Sequence, residues 1–203
     1  MAFTVPPGLE KFTFTGVAEA GGRPEWLPQP TSEINTVNVF VFDKVNQKIL
    51  LPWSKEGFGA GRLIPFVAPF NPGDDPFQVA KEVVEVQTGG GVQALDFHDA
   101  GGFHVVIDGS ESVIFAKAVA VHSYQGEPIE TTGFKPEWFR SPTPTAASAS
   151  LPPLPEDKMF EDEKYWYKHF FEGRTTIGRV DFSAPAKPED VVGSLEKYWF
   201  GFV

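Results

Sequence analysis

Residues 57–89, GFGAGRLIPFVAPFNPGDDPFQVAKEVVEVQTG, decide how the rest of the chain is read. A Gly-rich loop, an apolar strand, a tight acidic turn and a helix follow one another without a break. Gly57, Gly59 and Gly61 alternate with other residues, so the backbone can turn sharply or approach a ligand closely. The spacing is not that of a dinucleotide fingerprint, and no helix follows directly. Leu63–Val67 reads as a short strand, and residues 71–76, NPGDDP, are dense turn chemistry. A helix is predicted over 75–88, with Asp75 as N-cap, Pro76 at the favoured first position and Gly89 as the stop. Phe77, Ala80 and Val84 form one core-facing stripe on it; Val83, Val86 and Gln87 form a neighbouring one.

Before this stretch, residues 36–43, TVNVFVFD, are β-branched and aromatic and almost continuously apolar, which predicts a strand buried on both faces. A turn at 45–48 returns the chain as a second strand over 49–53. Residues 1–33 read as an irregular arm, with one edge strand across KFTFTGV and Trp26 as the residue that pins it. After the helix, strands are predicted at 102–107 and 113–121, split by Asp108-Gly109-Ser110, and a short strand at 137–139. Residues 141–157, SPTPTAASASLPPLPED, form a Pro/Ser/Ala-rich insertion with too little apolar content to pack, so mobility is expected. Residues 160–171 read as an aromatic-rich helix, 177–182 as a strand and 188–198 as a C-terminal helix; the closing YWFGFV is too apolar to hang free.

The chain has 203 residues, enough for one well-buried domain, with 20 Phe to fill its core. Its net charge of −10 argues against nonspecific binding to a nucleic acid polymer, which is mainly electrostatic. The absence of Cys removes disulfides, thiolate metal sites and a thiol nucleophile. No signal peptide pattern and no apolar run of membrane-spanning length is read, so a soluble cytoplasmic or nuclear protein without membrane attachment is expected. Four His (His98, His104, His122, His169) show no metal-ligand spacing and are expected in ordinary surface or core roles.

Four segments, ILLPWSKEGFGAGR (49–62), GDDPFQVA with TGGGV (73–80 and 88–92), GEPIETTGFKPEWF (126–139) and MFEDEKYWY (159–167), together resemble the Nudix hydrolases, and within them the oxidised purine nucleoside triphosphatases (8-oxo-dGTP diphosphatases). With the strands between them, these segments cover roughly residues 37–182. The resemblance implies an α+β Nudix fold, an α/β/α sandwich with a mixed β-sheet, over residues 34–203, with 1–33 as an added arm and 141–157 as a loop insertion. It also implies a carboxylate cluster on the helix that holds Mg²⁺ or Mn²⁺ against a diphosphate.

The family box, G-x5-E-x7-R-E-U-x-E-E-x-G-U, is degenerate here. Without gaps its first Gly falls on Ala68, its first Glu on Asp74, its Arg on Glu82 and the three helix Glu on Val83, Val86 and Gln87. An apolar Val83/Val86 surface is therefore expected where the metal would sit, and no metal or other cofactor is expected. A one-residue slip, in which Lys81–Glu85 mimics R-E-U-x-E, is the alternative register. It needs an insertion in a tight turn, still leaves Val86, and rotates the helix by about 100°.

Weak metal or catalytic candidates are Asp74, Glu82, Glu85 and Glu130, the last matching a family loop Glu. The resemblance carries base recognition to Phe160, Asp162 and Glu163. The family's stacking Trp is here Phe160, its base-contacting Asn is Ile64, and its phosphate-end Gly-Lys is Ala68-Pro69. Phe58, Ile64, Phe66 and Val83 complete the expected ligand-binding wall.

The expected function is a Nudix-fold protein that has lost metal-dependent diphosphate hydrolysis and binds a small molecule, nucleotide-like in character, or a protein partner through the arm or the 141–157 loop. The alternative is an active divergent hydrolase using Asp74, Glu82, Glu85 and Glu130, or a repurposed enzyme in which Asp162 or Glu163 moves a proton.

Overall fold

The computed structural model describes residues 4–187 and 190–203. They form two compact units, Met1–Thr36 with Ala100–Lys117 and Glu161–Val203, and Val37–Asp99 with Ala118–Phe160. The elements in order are β1 (Gly16–Gly22), β2 (Ser32–Asp43), β3 (Lys48–Ser54), β4 (Phe66–Phe70), α1 (Pro76–Gln87), β5 (Val92–Ala94), β6 (His98–Ile107), β7 (Ser112–Val121), β8 (Tyr124–Gly126), β9 (Phe134–Arg140), α2 (Glu163–Phe171), β10 (Thr176–Phe182) and β11 (Leu195–Phe202). β10 pairs with β6 in parallel and with β11 antiparallel, and β3 with β9 antiparallel, so the sheet is mixed and the class is α+β, as expected. No helix among the described residues is long and apolar enough to cross a membrane.

In the unit containing α1, the antiparallel pairs β2–β3 and β3–β9 build the frame. β2 is buried on both faces. Val37, Val39 and Val41 share a cluster with Ala80, Val83 and Val84 of α1, and Phe40 and Phe42, on the opposite face, are equally buried. Asp75 caps α1 as predicted, its Oδ1 accepting the Phe77 N–H at 3.0 Å. The predicted strand at 63–67 lies further along, at 66–70. Leu63 instead makes a lone bridge to Trp53, and its N–H donates to the Lys158 carbonyl at 2.9 Å.

Residues 141–157 are not the loosely held segment expected from their composition. Hydrogen bonds replace apolar burial. The Ser141 N–H donates to the Gln47 carbonyl at 2.9 Å, and the Ser141 and Thr143 hydroxyls both reach Gln47 Oε1. The Thr145 hydroxyl reaches the Asn46 carbonyl, and the Arg140 N–H donates to the Pro152 carbonyl. The insertion thereby laps the β2–β3 turn and bridges the end of β9 at Pro153, which covers part of an otherwise open strand edge.

In the other unit β11 lies between β1 and β10. The C-terminal helix expected over 188–198 is replaced, from Leu195 onward, by this strand; Pro188 and Glu189 lie outside the described residues. The aromatic residues of LEKYWFGF favour a pleated, packed strand over a helix, and the apolar terminus docks as expected. The edge strand read across KFTFTGV lies later, at Gly16–Gly22. Leu9, Phe12 and Phe14 pack instead on Ile177 and Trp199, the Phe14 and Trp199 rings meeting edge-on at 4.8 Å.

The arm is anchored by one buried cation. Arg179, fully buried on β10, uses all five guanidinium N–H groups: on Asp181 (2.8 and 3.3 Å), the Pro7 carbonyl (2.9 Å), Gln29 Oε1 (2.9 Å) and the Leu27 carbonyl (2.7 Å). Trp26 lies over the same guanidinium at 5.0 Å, so it does pin the arm.

Candidate functional site

The Gly-rich loop is a closed turn. Gly57, Gly59 and Gly61 all have φ between 68° and 80°, a region L side chains rarely enter. The Gly61 N–H donates to the Ser54 carbonyl at 2.8 Å, and the Ser54 hydroxyl donates to the carbonyls of Glu56 and Phe58. This leaves Phe58 half exposed (49%), its ring 5.9 Å from that of Phe160. Arg62 lies over Phe160 at 5.2 Å and donates to the Met159 carbonyl at 3.1 Å. Phe58, Arg62 and Phe160 thus form one amphipathic cluster, and Arg62 is a member that the sequence reading left in the turn. Ile64 and Phe66 are fully buried; Ile64 packs against the Cα of Gly59, where an added Cβ would lie 2.9 Å from it. Neither wall residue presents a polar group to a base.

Helix α1 does not carry the shared Val83/Val86 surface that the sequence predicts. Its buried residues are Ala80, Val83, Val84 and Gln87, while Val86 is 71% exposed. Val83 and Val86 therefore do not share a surface: the helical rotation sends Val83 into the core and Val86 to solvent. Gln87 ties α1 to β4, its Nε2 donating to the Val67 carbonyl at 2.9 Å, while its Oε1 is buried without a hydrogen-bond partner.

The remaining acids are dispersed into local roles. Asp74 Oδ2 accepts from the Asn71 backbone at 2.8 Å, Glu82 accepts from Gln78 at 2.8 Å, and Glu130 pairs with Lys55 at 2.5 Å. Glu85 lines a shallow groove with Lys81, Gln93, Ala94 and Leu95. Among the described residues no three His, Cys, Asp or Glu side chains are placed to share a cation. A hard divalent cation needs several oxygen ligands on one centre, and this donor set does not fit the Mg²⁺ or Mn²⁺ that the resemblance implies.

In the other unit Asp162 and Glu163 open α2, both buried. Asp162 does not cap the helix with its side chain; its Oδ2 accepts the indole N–H of Trp166, one turn on, at 3.1 Å. The i,i+4 spacing was visible in the sequence, yet Trp166 reads there simply as core. Burial pushes the Asp162 carboxyl up to about 6, against the Trp166 and backbone hydrogen bonds, with Glu161 adding to the rise. The Tyr167 hydroxyl is likewise pushed well up, by burial and by Glu163 and Asp162.

A raised carboxyl favours the folded state when protonated, so its contribution is full below the ordinary value of 3.8 and is lost as pH rises through about 6. Asp162→Asn is thus expected to raise stability at pH 7.5 by about 1–3 kcal/mol, and to give no gain at pH 4. Urea denaturation of both proteins at the two pH values checks this. His104, in the same unit, acts oppositely: burial, with Lys11 and Arg179, pushes it down to about 4, so its contribution is lost as pH falls from 6.5 toward 4. Comparing the variant with wild type at each pH cancels the His104 contribution.

No family model matches the chain. It is 24% identical over 137 residues to the oxidized purine nucleoside triphosphate hydrolase of Danio rerio, spanning 68% of this chain and 80% of that protein. The oxidized purine nucleoside triphosphate hydrolase of Mus musculus is 25% identical over the same coverage. Among solved structures, the MutT protein of Bacillus halodurans superposes with a TM-score of 0.56 at 19% identity, covering 82% of this chain and 97% of that one. At that identity the likeness is one of fold.

Proposed function

We propose that the chain is a Nudix-fold protein, related to the oxidised purine triphosphate hydrolases it resembles, that no longer hydrolyses diphosphates through a metal and retains a small-molecule site. The observation that carries this reading is the face of α1. Of the three helix positions that hold carboxylates in the family box, one is a core valine, one an exposed valine, and one an amide whose N–H is committed to the Val67 carbonyl. A carboxylate cannot make that last bond, since it donates nothing at neutral pH. The helix has therefore exchanged ligand positions for packing and an interelement hydrogen bond.

Ligand binding is supported by one group of residues, in the unit that contains α1. Phe58, Arg62 and Phe160 offer aromatic and guanidinium faces of the kind that stack on a planar ring. The ligand is a planar, nucleobase-like molecule held without a metal.

The test is a thermal-shift titration with an oxidised purine nucleoside triphosphate and its monophosphate, each with and without Mg²⁺ or Mn²⁺, alongside a phosphate-release assay. Stabilisation by the nucleotide in the absence of metal, with no turnover, is expected. Metal-dependent stabilisation with consumption of the triphosphate would overturn the reading and return Asp74, Glu82, Glu85 and Glu130 to a catalytic role.

A further inference from the structure

We infer that residues 151–155, LPPLP, are the docking segment for a protein module of the WW type, which grips polyproline II ligands between aromatic rings. The segment lies inside the 141–157 insertion, on the unit that contains α1. The inference does not rest on the small-molecule site proposed above.

The sequence restricts the backbone of every residue in the segment. The rings of Pro152, Pro153 and Pro155 fix φ at about −65°. Leu151, Pro152 and Leu154 each precede a proline, which drives them out of the helical region toward extended and polyproline II conformations. The structure agrees. Pro153 forms a parallel bridge with Arg140 at the end of β9, and the Pro152 carbonyl accepts the Arg140 N–H at 2.9 Å. The extended run ends at Pro155, whose ψ of 81° turns the chain into the short 3₁₀ turn Glu156–Lys158. The ligand conformation is thus restricted by composition and tethered to a strand before any partner arrives, so docking has less ordering entropy to lose.

Exposure follows the period of three that a polyproline II helix imposes. Leu151 and Leu154 share one row, and both are half-buried. Pro152 and Pro155 share the next, the first exposed and the second half-buried, and Pro153, on the third, is exposed. The adjacent rings of Pro152 and Pro153 therefore present rigid apolar surface to water, the surface that an aromatic groove covers. The flank selects among such grooves. Glu156 and Asp157 follow at once, both exposed, and Lys158 offsets one charge through a 3.2 Å pair with Asp157. No Lys or Arg stands between Ser141 and Asp157. A groove rimmed by acids, built to take a basic residue beside its prolines, is repelled here, whereas a cation-rimmed groove is attracted.

Fluorescence anisotropy of a labelled, cation-rimmed WW domain selective for Pro-Pro-Leu-Pro, titrated with the full chain, tests the inference. Saturable one-to-one binding is expected. Pro152→Ala keeps the carbonyl that holds Arg140, so it should leave the urea midpoint near that of wild type and weaken binding at least tenfold. Glu156→Gln/Asp157→Asn should weaken binding severalfold at low salt and match wild type at about 0.5 M salt, where rim charges are screened. A synthetic peptide of residues 149–158 should bind more weakly than the full chain, because it must order itself on docking. Absence of binding by the full chain, or binding that Pro152→Ala leaves unchanged, overturns the inference. So does a peptide that binds more tightly than the chain, since the fold would then hide the segment instead of presenting it.

Discussion

Arg179→Met is expected to cost about 3–5 kcal/mol, close to the whole stability margin of many domains. Methionine approximates the volume of the side chain but supplies none of its five donors. The loss strands the Asp181 carboxylate, fully buried, with the Leu27 N–H at 2.6 Å and the distant Arg23 at 3.8 Å as its remaining partners among the described residues. It also strands the carbonyls of Pro7 and Leu27 and the amide oxygen of Gln29. Lysine does not rescue it, because one ammonium cannot span acceptors arranged around a planar fork. Urea denaturation should show the fall in midpoint. Limited proteolysis should show its location: new cleavage within residues 4–29, whose carbonyl and amide contacts at Pro7, Leu27 and Gln29 are held by this guanidinium. An Arg179→Met protein that keeps the wild-type midpoint and resists cleavage there would contradict this account of the arm.

That anchor was hidden in plain view. IGRVDF reads as an apolar strand, and all seven residues of β10 are indeed buried. An Arg and an Asp two apart in such a strand must face the same side, and charges on a buried face need partners. The sequence signals the need but not the partner, which comes from a segment some 150 residues away.

Elements with local punctuation were legible. Helix α1 announces itself through Asp75, Pro76 and its apolar stripe, and it forms within a residue of the reading at each end. The strand patterns of β2, β3, β6, β7 and β10 are equally plain. Two failures share a cause. The C-terminal segment reads as a helix from Pro188, whereas the aromatic run in LEKYWFGF favours the strand that a neighbour on each side stabilises. The 141–157 insertion was judged by its poverty in apolar residues, but hydroxyls and backbone groups hold it to Gln47 and Asn46. Phe58, Phe160 and Asp162 were singled out through the resemblance; the structure brings the two rings together in one unit and buries the carboxyl in the other. The burial of Ile64 and the opposite fates of Val83 and Val86 were not legible, because they depend on which side of α1 the sheet covers.

Those fates make the box positions separable by experiment. Val83→Glu places a carboxylate among Val37, Val84 and Phe66, where nothing solvates it, at an expected cost of about 3–4 kcal/mol. Burial would also raise the new carboxyl, so the cost should shrink as pH falls from 8 to 5. Gln87→Glu replaces the donor to Val67 with an acceptor and should cost about 1–3 kcal/mol. Val86→Glu, at an exposed position, should lie within about 0.5 kcal/mol of wild type. Equilibrium denaturation in urea gives the three values, and their order, with 83 far above 87 and 87 above 86, is the discriminating result. If the ungapped register is right, the Val86→Glu/Gln87→Glu pair puts two acids back where a cation would lie, and their mutual repulsion becomes a handle. Millimolar Mg²⁺ should then raise the melting temperature of the double variant and leave wild type unmoved. A wild-type protein that responds to Mg²⁺ as strongly as the double variant would mean that the acids already present on α1 hold the cation, and that the slipped register is the true one.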